Sequence, residues 1–405
     1  MEATRIRLAE GVHLTYLPAR KFKTSLLSAQ FVTPLRRETA GANALLAAVL
    51  RRGTVSCPDM GALSAKMDNL YDASIDYTVR KKGENQCVGF VASFIDDRYA
   101  PDGERLLEPA AALLGELICD PVTYHGRFVP EYFESEKTNL LEAIRSLIND
   151  KRDWADSRLL RALCDGEAYA VPRLGDEETV DKLQALKVYT QYRDLISTAP
   201  LEIIYSGSAD LERVKQALAA AFATLPREEV RVISTAAPHV CRESVQHVED
   251  VLDVTQGKLG MGFSCGSDDM PALLMGNTLF GGSSNSKLFL NVREKLSLCY
   301  YASSLYHRQK GLITVSSGIE FQNYQRAYDE IMAQLEAVQK GELEDWELEG
   351  ARSTLLNSYA TVGDSQGKLE NFYLGQAATG QHETPADLAR AIQDMTAERI
   401  CRAMS

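Results

Sequence analysis

The sequence predicts an α+β protein with two domains, because strand-like alternation and helix-like periodicity follow one another along the whole chain. The 405 residues exceed what one ordinary hydrophobic core holds. A single shift along the sequence lays Tyr71 on Tyr300, and the same shift lays Thr54 on Ser283 just after a helix of small residues. Either an α+β unit is duplicated, or two unrelated domains share one order of elements.

The first half alternates strands with helices. Period-two patterns or short apolar runs predict strands at residues 5–16, 26–32, 75–79, 86–94 and 201–205, with a hairpin turn at 82–85. Apolar residues at helical spacing predict helices in the alanine-rich stretch 41–54 and at 60–70, 106–117, 131–147 and 211–225. Residues 206–208 are expected to form the turn and N-cap of the last helix, which Pro226 would end.

The second half repeats this order on a shorter scale. Its predicted strands are residues 252–265 and 298–304, and its predicted helices are 272–280 and 286–295. Between the halves, residues 227–243 are rich in charged and small residues and contain Pro238, which is typical of a linker. We therefore expect domains at 1–226 and 244–405, each a mixed or antiparallel sheet flanked by helices.

Composition excludes several classes of function. The net charge of −12 argues against nucleic-acid binding, which needs a basic face. The start of the chain lacks a signal-peptide pattern, and no run of about 18 apolar residues occurs, so we expect a cytoplasmic protein without a membrane partner.

Cysteine and histidine spacing does not predict a metal site. The eight cysteines contain no C-x-x-C pair and are expected to be reduced thiols. His239 with Cys241 and Glu243, or His247 with Glu249, lacks the second ligand pair that a zinc site needs.

The stretch from Gly41 to Thr54 carries alanine at three positions, Ala44, Ala47 and Ala48. It resembles the first helix of the pitrilysin/insulinase (inverzincin) family of zinc peptidases, G-x-A-H-F-L-E-H-M-x-F-K-G-T, with Gly41 and Gly53-Thr54 in register. The resemblance implies that the histidine ligands fall on Ala44 and Ala48 and the general base on Ala47. A methyl group can neither bind zinc nor accept a proton.

The third ligand is missing in the same way. Residues 137–144 resemble the family pattern R-E-V-V-L-E-E-I, whose ligand glutamate falls on Ala143, next to Glu142. We therefore expect no zinc in this chain. The simpler alternative is that an alanine- and leucine-rich helix is an ordinary buried helix.

A second motif, residues 279–300, resembles the family signature L-G-G-G-x-S-S-R-L-F-x-x-V-R-E-K-x-G-L-A-Y. Gly281 and Gly282 are expected to permit positive φ and close backbone approach, and Ser283 with the following serines to offer an N-cap. The resemblance implies that Arg293 and Tyr300 bind the substrate main chain and polarise the scissile carbonyl. The alternative is Arg293 in a salt bridge and Tyr300 in a core.

The signature also departs from the family. Leu296-Ser297 replaces the usual Arg-Gly, and Asn285-Ser286-Lys287 replaces Ser-Ser-Arg. Further matches at 174–180 and 395–400 extend the resemblance over nearly the whole chain.

One missing and one retained half of an active site imply a noncatalytic subunit of a heterodimeric zinc metallopeptidase. The partner would have an intact H-x-x-E-H, would hold the zinc and would cleave an unfolded peptide substrate. The present chain would help to bind that substrate through Arg293, Tyr300, Gly281, Gly282 and Ser283. The alternative is a noncatalytic scaffold or peptide-binding homodimer of the same fold. An enzyme with a different site is disfavoured, since no nucleophile elbow, P-loop or dinucleotide fingerprint occurs.

Overall fold

The computed structural model describes residues 3–233, 235, 241 and 244–405. Its strands are β1 (Thr4–Ala9), β2 (Val12–Pro18), β3 (Thr24–Pro34), β4 (Ser74–Lys82), β5 (Asn85–Ile95), β6 (Thr123–Tyr124), β7 (Arg127–Phe128), β8 (Leu201–Gly207), β9 (Gly257–Ser264), β10 (Cys299–His307) and β11 (Leu312–Ile319). Its α-helices are α1 (Arg37–Leu50), α2 (Met60–Asp68), α3 (Leu107–Cys119), α4 (Pro130–Ser146), α5 (Lys151–Leu163), α6 (Glu177–Asp181), α7 (Ala185–Thr198), α8 (Leu211–Ala221), α9 (Met270–Asn277), α10 (Tyr324–Lys340), α11 (Asp345–Ala360), α12 (Gln366–Thr379), α13 (Pro385–Gln393) and α14 (Ala397–Met404). The predicted α+β class, with sheets flanked by helices, is confirmed.

The chain folds into two units that are not continuous in sequence. The first contains Met1–Arg145, Val171–Thr235 and Gly363–Gln381, and the second contains Ser146–Ala170, Ala236–Val362 and His382–Ser405. Each unit thus receives a helix from the other half of the chain, α12 in the first and α5 in the second. The linker predicted at 227–243 lies partly outside the described residues, and the predicted domain boundaries stay predictions.

The first unit is built on a six-stranded mixed sheet with the order β1-β2-β8-β3-β5-β4. Strands β2 and β8 run parallel and the other neighbours antiparallel. Helices α1, α3 and α7 contribute to one apolar core with the sheet, and α12 packs on β8 and β3. Strand β4 forms one edge of this sheet, so one side of its backbone is not paired with another described strand.

The backbone of β4 offers hydrogen-bonding groups at that edge. Lys82 and Asn85 face each other across a two-residue turn, so Lys82 and every second residue before it pair with β5. The intervening residues, among them Tyr77 and Lys81, direct both N–H and C=O away from β5. Among the described strands, β4 is paired with β5 alone.

The second unit contains a smaller antiparallel sheet with the order β10-β11-β9. Its core includes Phe280, Ile331 and residues of α9, α11, α13 and α14. Helix α5 packs on β9, where a Cβ at Gly262 would lie 2.6 Å from Leu163. A side chain at residue 262 would therefore force the Leu163 side chain to move, and glycine lets the helix lie close to the strand.

Several local predictions were wrong in their boundaries. The strand predicted at 5–16 is a hairpin, because Gly11 has a φ of +59° and turns the chain between β1 and β2. Strand β8 extends through Gly207, and the N-cap of α8 is Asp210, whose side chain accepts a hydrogen bond from the Arg213 N–H. Helix α8 ends at Ala221, before Pro226.

Two composition-based expectations can be compared with the structure. The eight cysteines, all of which are described, form no disulfide bond. In the part of the chain that the structure describes, no helix is both long and apolar enough to cross a membrane.

Candidate functional site

A cavity of about 750 Å³ opens in the first unit between α1, α4 and the edge strand β4. Its lining residues are Ala44, Ala48, Tyr77, Thr78, Val79, Arg80, Lys81, Lys82, Glu136, Asn139, Leu140, Ala143, Arg173, Leu174 and Asn371. Residues 136, 139, 140 and 143 follow the i, i+3, i+4, i+7 spacing of one face of α4.

The structure brings three of the four predicted alanines together. Ala44 and Ala48, one turn apart on α1, line the cavity, and Ala143 of α4 lines it as well. Ala47 does not: it is wholly buried and lines a separate apolar space beside Phe31 and Phe90. The predicted ligand positions therefore face one common space, while the predicted general-base position packs against the sheet.

The lining of this cavity does not fit a zinc ion. Its one carboxylate, Glu136, forms an ion pair with Arg52 at 2.8 Å and also accepts a hydrogen bond from Asn139. Glu142, next to Ala143, is exposed and does not line the cavity. Among the described residues, no three His, Cys, Asp or Glu side chains are grouped so that they could hold a metal.

Close backbone packing fixes α1 and the loop before α6 beside each other. A Cβ at Gly175, whose φ is +78°, would lie 2.7 Å from Gly41 Cα, and a Cβ at Gly41 would lie 2.5 Å from the Val180 side chain. Both glycines belong to segments that matched the family patterns. The agreement of these two glycines with the family patterns is therefore explained by close packing, independently of catalysis.

A buried amide network anchors the loop that carries Arg173. The Gln86 side chain donates to the carbonyls of Ala40 and Arg173, and it accepts a hydrogen bond from Asn43 at 2.9 Å. Gln191 in turn donates to Asn43. Since buried polar networks of this kind stabilise one arrangement, the position of Arg173 at the cavity is fixed.

Two arginines cap outward carbonyl groups of β4. Arg51 donates to the carbonyl of Ile75, and Arg173 donates to the carbonyl of Val79 at 3.2 Å. These contacts agree with the alternation that the hairpin turn dictates. Between them Tyr77 is 44% exposed, and burial with the nearby charge of Glu136 raises the pKa of its phenol. The phenol therefore stays protonated at neutral pH and can donate a hydrogen bond.

The other face of β4 is tied to α12. Arg80 forms an ion pair with Glu370, which is buried and also accepts a hydrogen bond from Ser28 at 2.7 Å. Lys82 donates to the Asn371 side chain at 2.6 Å. Removing Arg80 would leave the Glu370 carboxylate buried without its ion pair, so Arg80 stabilises the fold as well as lining the cavity.

The second predicted site lies in the second unit, in the loop that starts at Gly281. Neither Gly281 nor Gly282 has a positive φ, so that part of the prediction was wrong. Close approach explains them instead, because a Cβ at Gly281 would lie 2.7 Å from the backbone nitrogen of Ser304. Ser283 donates to the carbonyl of Thr278, and the serine that accepts from a helical N–H is Ser286.

The positive φ of this motif falls on Ser297. Residues Leu288–Lys295 form a π-helical segment, and Ser297, with a φ of +51°, follows it in the left-handed conformation. Its N–H donates to the carbonyl of Arg293 at 3.1 Å. A residue in the left-handed conformation commonly ends a helix in this way, and that residue is usually glycine. The family signature has glycine at this position, and the present chain accepts the strain of a serine.

Arg293 and Tyr300 are both accessible, but each has its own partner. The Arg293 side chain is 40% exposed, stacks over Phe289 at 4.7 Å and lies 3.5 Å from the Glu294 carboxylate. Tyr300 is 54% exposed and donates to Glu320 at 3.3 Å. The exposure of Tyr300 contradicts the alternative that placed it in a core, whereas the other half of that alternative, Arg293 in a salt bridge, is met by Glu294.

Tyr300 sits at an irregularity of strand β10. Cys299 pairs with Ile319 and Tyr301 pairs with Gly318, so Tyr300 is the extra residue of a β-bulge. Bulges turn a side chain away from its regular direction and are frequent beside active sites. The bulge therefore gives Tyr300 its exposed position.

Sequence reasoning missed the basic side of the first cavity. Arg80, Lys81 and Lys82 are consecutive in the sequence, and Arg173 lies ninety residues away on a loop. The run of three cations was a visible signal, but only the fold shows that it borders the alanine positions.

Comparisons with known proteins agree with the family resemblance. Residues 182–355 match the family model described as "Peptidase M16 inactive domain". The chain is 34% identical over 400 residues to "Probable inactive metalloprotease YmfF" of Bacillus subtilis (strain 168), covering 97% of this chain and 93% of that protein.

Two solved structures share the fold. A conserved protein from Enterococcus faecalis V583 is 27% identical with a TM-score of 0.89, covering 100% of this chain and 96% of that one. A peptidase M16 inactive domain from Pseudomonas fluorescens is 18% identical with a TM-score of 0.79, covering 100% of this chain and 95% of that one. The second likeness concerns the fold alone.

Proposed function

Because the chain belongs to the peptidase M16 family as an inactive homologue, we propose that it is the noncatalytic subunit of a heterodimeric zinc metallopeptidase. Its partner would be a second M16 protein with an intact H-x-x-E-H motif, and that partner would hold the zinc. This chain would contribute Arg293, Tyr300 and the loop at Gly281–Gly282.

The difference between the two motifs carries the proposal. Ala44, Ala48 and Ala143 line a cavity without ligands for a metal, whereas Arg293 and Tyr300 are exposed within a motif whose sequence is largely kept. A chain that had lost every role would have no reason to keep one motif and lose the other. A role in support of another active site accounts for both.

Arg293 and Tyr300 can act as hydrogen-bond donors. A guanidinium is always charged, and a phenol is neutral at neutral pH, so both can donate to a carbonyl oxygen that gains negative charge during hydrolysis. Their present acceptors, Glu294 and Glu320, lie at 3.5 and 3.3 Å, which are long and replaceable contacts.

An extended peptide is the substrate form that the first unit supports. Strand β4 directs backbone groups outward beside the cavity, and a peptide strand can pair with such an edge through its main chain. Main-chain pairing tolerates many side chains, in agreement with an unfolded peptide substrate.

The first experiment is a native pull-down of the tagged chain from its own cells, followed by mass spectrometry of the bound proteins. A partner with H-x-x-E-H is the expected result. Peptide hydrolysis by the reconstituted pair is then measured with Arg293→Ala and with Tyr300→Phe in this chain. Each is expected to lower kcat/KM by about 10²-fold or more, the usual effect of removing a donor to the developing charge.

Matched controls separate this role from a general effect on the fold. Arg326→Ala and Tyr324→Phe change the same residue types at exposed positions of the same unit, both on α10, and should leave hydrolysis unchanged. If Arg293→Ala and Tyr300→Phe behave like these controls, the proposed role of the pair is wrong.

A second candidate function is a noncatalytic scaffold or peptide-binding homodimer. The cavity beside β4 favours it, because an edge strand binds a peptide without a metal. In that case the pull-down recovers only this chain, and peptide hydrolysis does not depend on Arg293 or Tyr300.

A further inference from the structure

Asn277, the last residue of α9, carries a buried side-chain amide without a hydrogen-bond partner for its oxygen. The residue is only 5% exposed, and no donor of the described residues reaches its Oδ1 atom. Its main-chain carbonyl, in contrast, accepts a hydrogen bond from the Ser304 hydroxyl at 3.3 Å. Buried polar groups in folded proteins are nearly always paired, because an unpaired one destabilises the fold. Folding alone therefore does not explain an asparagine at this position.

Gly282 leaves the amide of Asn277 uncovered on the side of the loop at Gly281–Gly282. A Cβ at Gly282 would lie 2.9 Å from Asn277 Nδ2, and Gly282 itself is exposed. A side chain at residue 282 would thus cover or displace the carboxamide. Because the last torsion of asparagine is soft and nearly two-fold, either the amide nitrogen or the oxygen can turn toward this side.

The internal repeat gives Asn277 a counterpart in the first unit. The shift that relates the two halves of the sequence lays Ala48 on Asn277 and Gly53 on Gly282. The strands agree with this shift, since β9-β11-β10 repeats the order β3-β5-β4. Ala48 is 6% exposed, about as little as Asn277, and it nevertheless lines an open cavity. A side chain at this place in the fold can therefore be reached by a ligand although its exposed fraction is small.

We propose that Asn277 binds the main chain of the peptide substrate at Gly282: its carboxamide donates to a peptide carbonyl and accepts from a peptide N–H. This inference rests on the proposed function and adds a residue to its substrate-binding site. A carboxamide has the same kinds of donor and acceptor as a peptide group, so the two pair whatever the side chains of the substrate are. Glycine at residue 282 lets the peptide backbone approach closely enough for this contact.

The groups around Asn277 favour a neutral ligand. Ser304 donates to the Asn277 carbonyl, and Ser283 donates to the Thr278 carbonyl at 3.3 Å. No charged side chain of the described residues pairs with Asn277, Ser283 or Ser304. A charged ligand would therefore lack a counter-charge here, whereas a peptide group needs only neutral partners. The backbone of Thr278–Gly282 is π-helical, a conformation that is frequent at functional sites.

The variant Asn277→Leu separates binding from folding. Leucine has a similar size and removes the unpaired amide, so the variant should unfold at a higher urea concentration than the unmodified chain. The same variant should bind a peptide about tenfold more weakly, the size expected for the loss of two ordinary hydrogen bonds. The probe is a fluorescein-labelled peptide, Ser-Ala-Thr-Ala-Ser-Ala-Thr-Ala, whose affinity for the full chain is measured by fluorescence anisotropy. Asn357→Leu, at an exposed position of α11, should leave this affinity unchanged.

Nuclear magnetic resonance of the side-chain amides observes the contact in the unmodified chain. The asparagine side chains are isotopically labelled at nitrogen, and the signals of Asn277 are those that Asn277→Leu lacks. Adding the probe peptide should shift these signals, whereas the signals of Asn357 should not move. This measurement does not depend on how a variant alters the stability of the fold.

The inference is overturned if the probe peptide does not bind the unmodified chain, if Asn277→Leu keeps the full affinity, or if the Asn277 signals do not move. A lower urea midpoint for Asn277→Leu would also overturn it, because the carboxamide would then be paired in the free chain, for example with a buried water. The subunit role is decided separately, by the pull-down and by Arg293 and Tyr300 in the reconstituted pair. Because the peptide measurements use this chain alone, either proposal can fail without the other.

Discussion

Lys287 and Glu347 form a buried ion pair that should dominate the stability of the second unit. The Lys287 ammonium lies 3.0 and 3.1 Å from the two carboxylate oxygens of Glu347, and the side chains are only 9% and 7% exposed. Glu347 also accepts the backbone N–H of Glu344 at 2.9 Å, as part of the capping box of α11. The pair therefore ties the start of the Leu288–Lys295 segment to a second helix.

Lys287→Met should lower the free energy of unfolding by about 3–5 kcal/mol, because it leaves a buried carboxylate without its cation. Assuming a urea dependence of about 2–3 kcal/mol per molar for a unit of this size, the midpoint should fall by about 1–2 M. Glu347→Gln keeps an acceptor for the capping N–H but leaves the Lys287 ammonium buried without its anion. A decrease of similar size in the free energy of unfolding is therefore expected.

The double variant is the sharper measurement. Lys287→Met with Glu347→Gln removes both charges, so its loss should be smaller than the sum of the single losses by about 2 kcal/mol or more. Urea unfolding is followed by circular dichroism and by the fluorescence of Trp154 and Trp346, both of which belong to the second unit. Lys340→Met, which breaks an exposed pair with Glu336, should leave the midpoint unchanged.

Additive losses in this cycle, or a shift for Lys287→Met no larger than that for Lys340→Met, would refute the reasoning. The first result would mean that the two charges do not interact across the 3.0 Å contact. The second would mean that the Glu347 carboxylate reaches water when its partner is absent.

Three further perturbations follow from single contacts. Ser297→Gly should raise the free energy of unfolding by about 0.5–1 kcal/mol in urea titrations, since glycine adopts its φ of +51° without strain. Asp96 is buried, and although burial raises its pKa, hydrogen bonds from Ser208 and Arg98 hold the pKa below its ordinary value of 3.8. Its stabilisation is thus present above about pH 4 and lost as the pH falls through the folded-state pKa, so Asp96→Asn should flatten the fall in melting temperature between about pH 5 and pH 3. The triple variant Ala44→His, Ala48→His, Ala143→Glu should bind one zinc ion and gain about 2.7 kcal/mol of stability at a zinc concentration 100 times its Kd.

Each of these has a contradicting result. A lower urea midpoint for Ser297→Gly would mean that the serine makes contacts that outweigh its backbone strain. If the melting temperature of Asp96→Asn falls with pH as it does in the unmodified chain, the loss of stability in acid comes from other carboxylates. A triple variant that retains no zinc after dialysis, measured by elemental analysis, would show that the three cavity-lining positions do not converge on one ion.

Periodic local patterns predicted the elements that form within short stretches. The alternation around Tyr77 gave the β4–β5 hairpin, and the spacing of Ala44 and Ala48 placed both on one helical face, because these patterns depend on neighbours alone. The missed features depend on distant partners. Helix α5 is rich in charged residues, yet it packs on β9 through Leu159 and Leu163 against glycines about a hundred residues away. Nothing local to α5 reveals those glycines.

The cavity shows the same limit. Its alanines were found by register within two short motifs, but its charged lining comes from β4, α4 and a loop, which meet only in the folded first unit. The motif therefore predicted what the site lacks, and the fold was needed to show what it contains. Sequence patterns report chemistry that sits within one element more readily than chemistry assembled from several.

The left-handed backbone at Ser297 bears on the role that we propose for the second motif. A left-handed serine costs about 1 kcal/mol, and glycine at the same position would relieve it. Ser297 joins the end of the π-helical segment to strand β10, in which the bulge at Tyr300 comes three residues later, while Arg293 accepts its N–H through the main chain. Strained backbone persists where the surrounding structure enforces it, and such places cluster at functional sites. The enforced geometry here lies between Arg293 and Tyr300, whereas around Ala44 and Ala48 the helix is regular and unstrained. The left-handed position, which the family signature fills with glycine, thus lies between the two exposed donors, as we propose for a chain that supports a partner's chemistry with this loop.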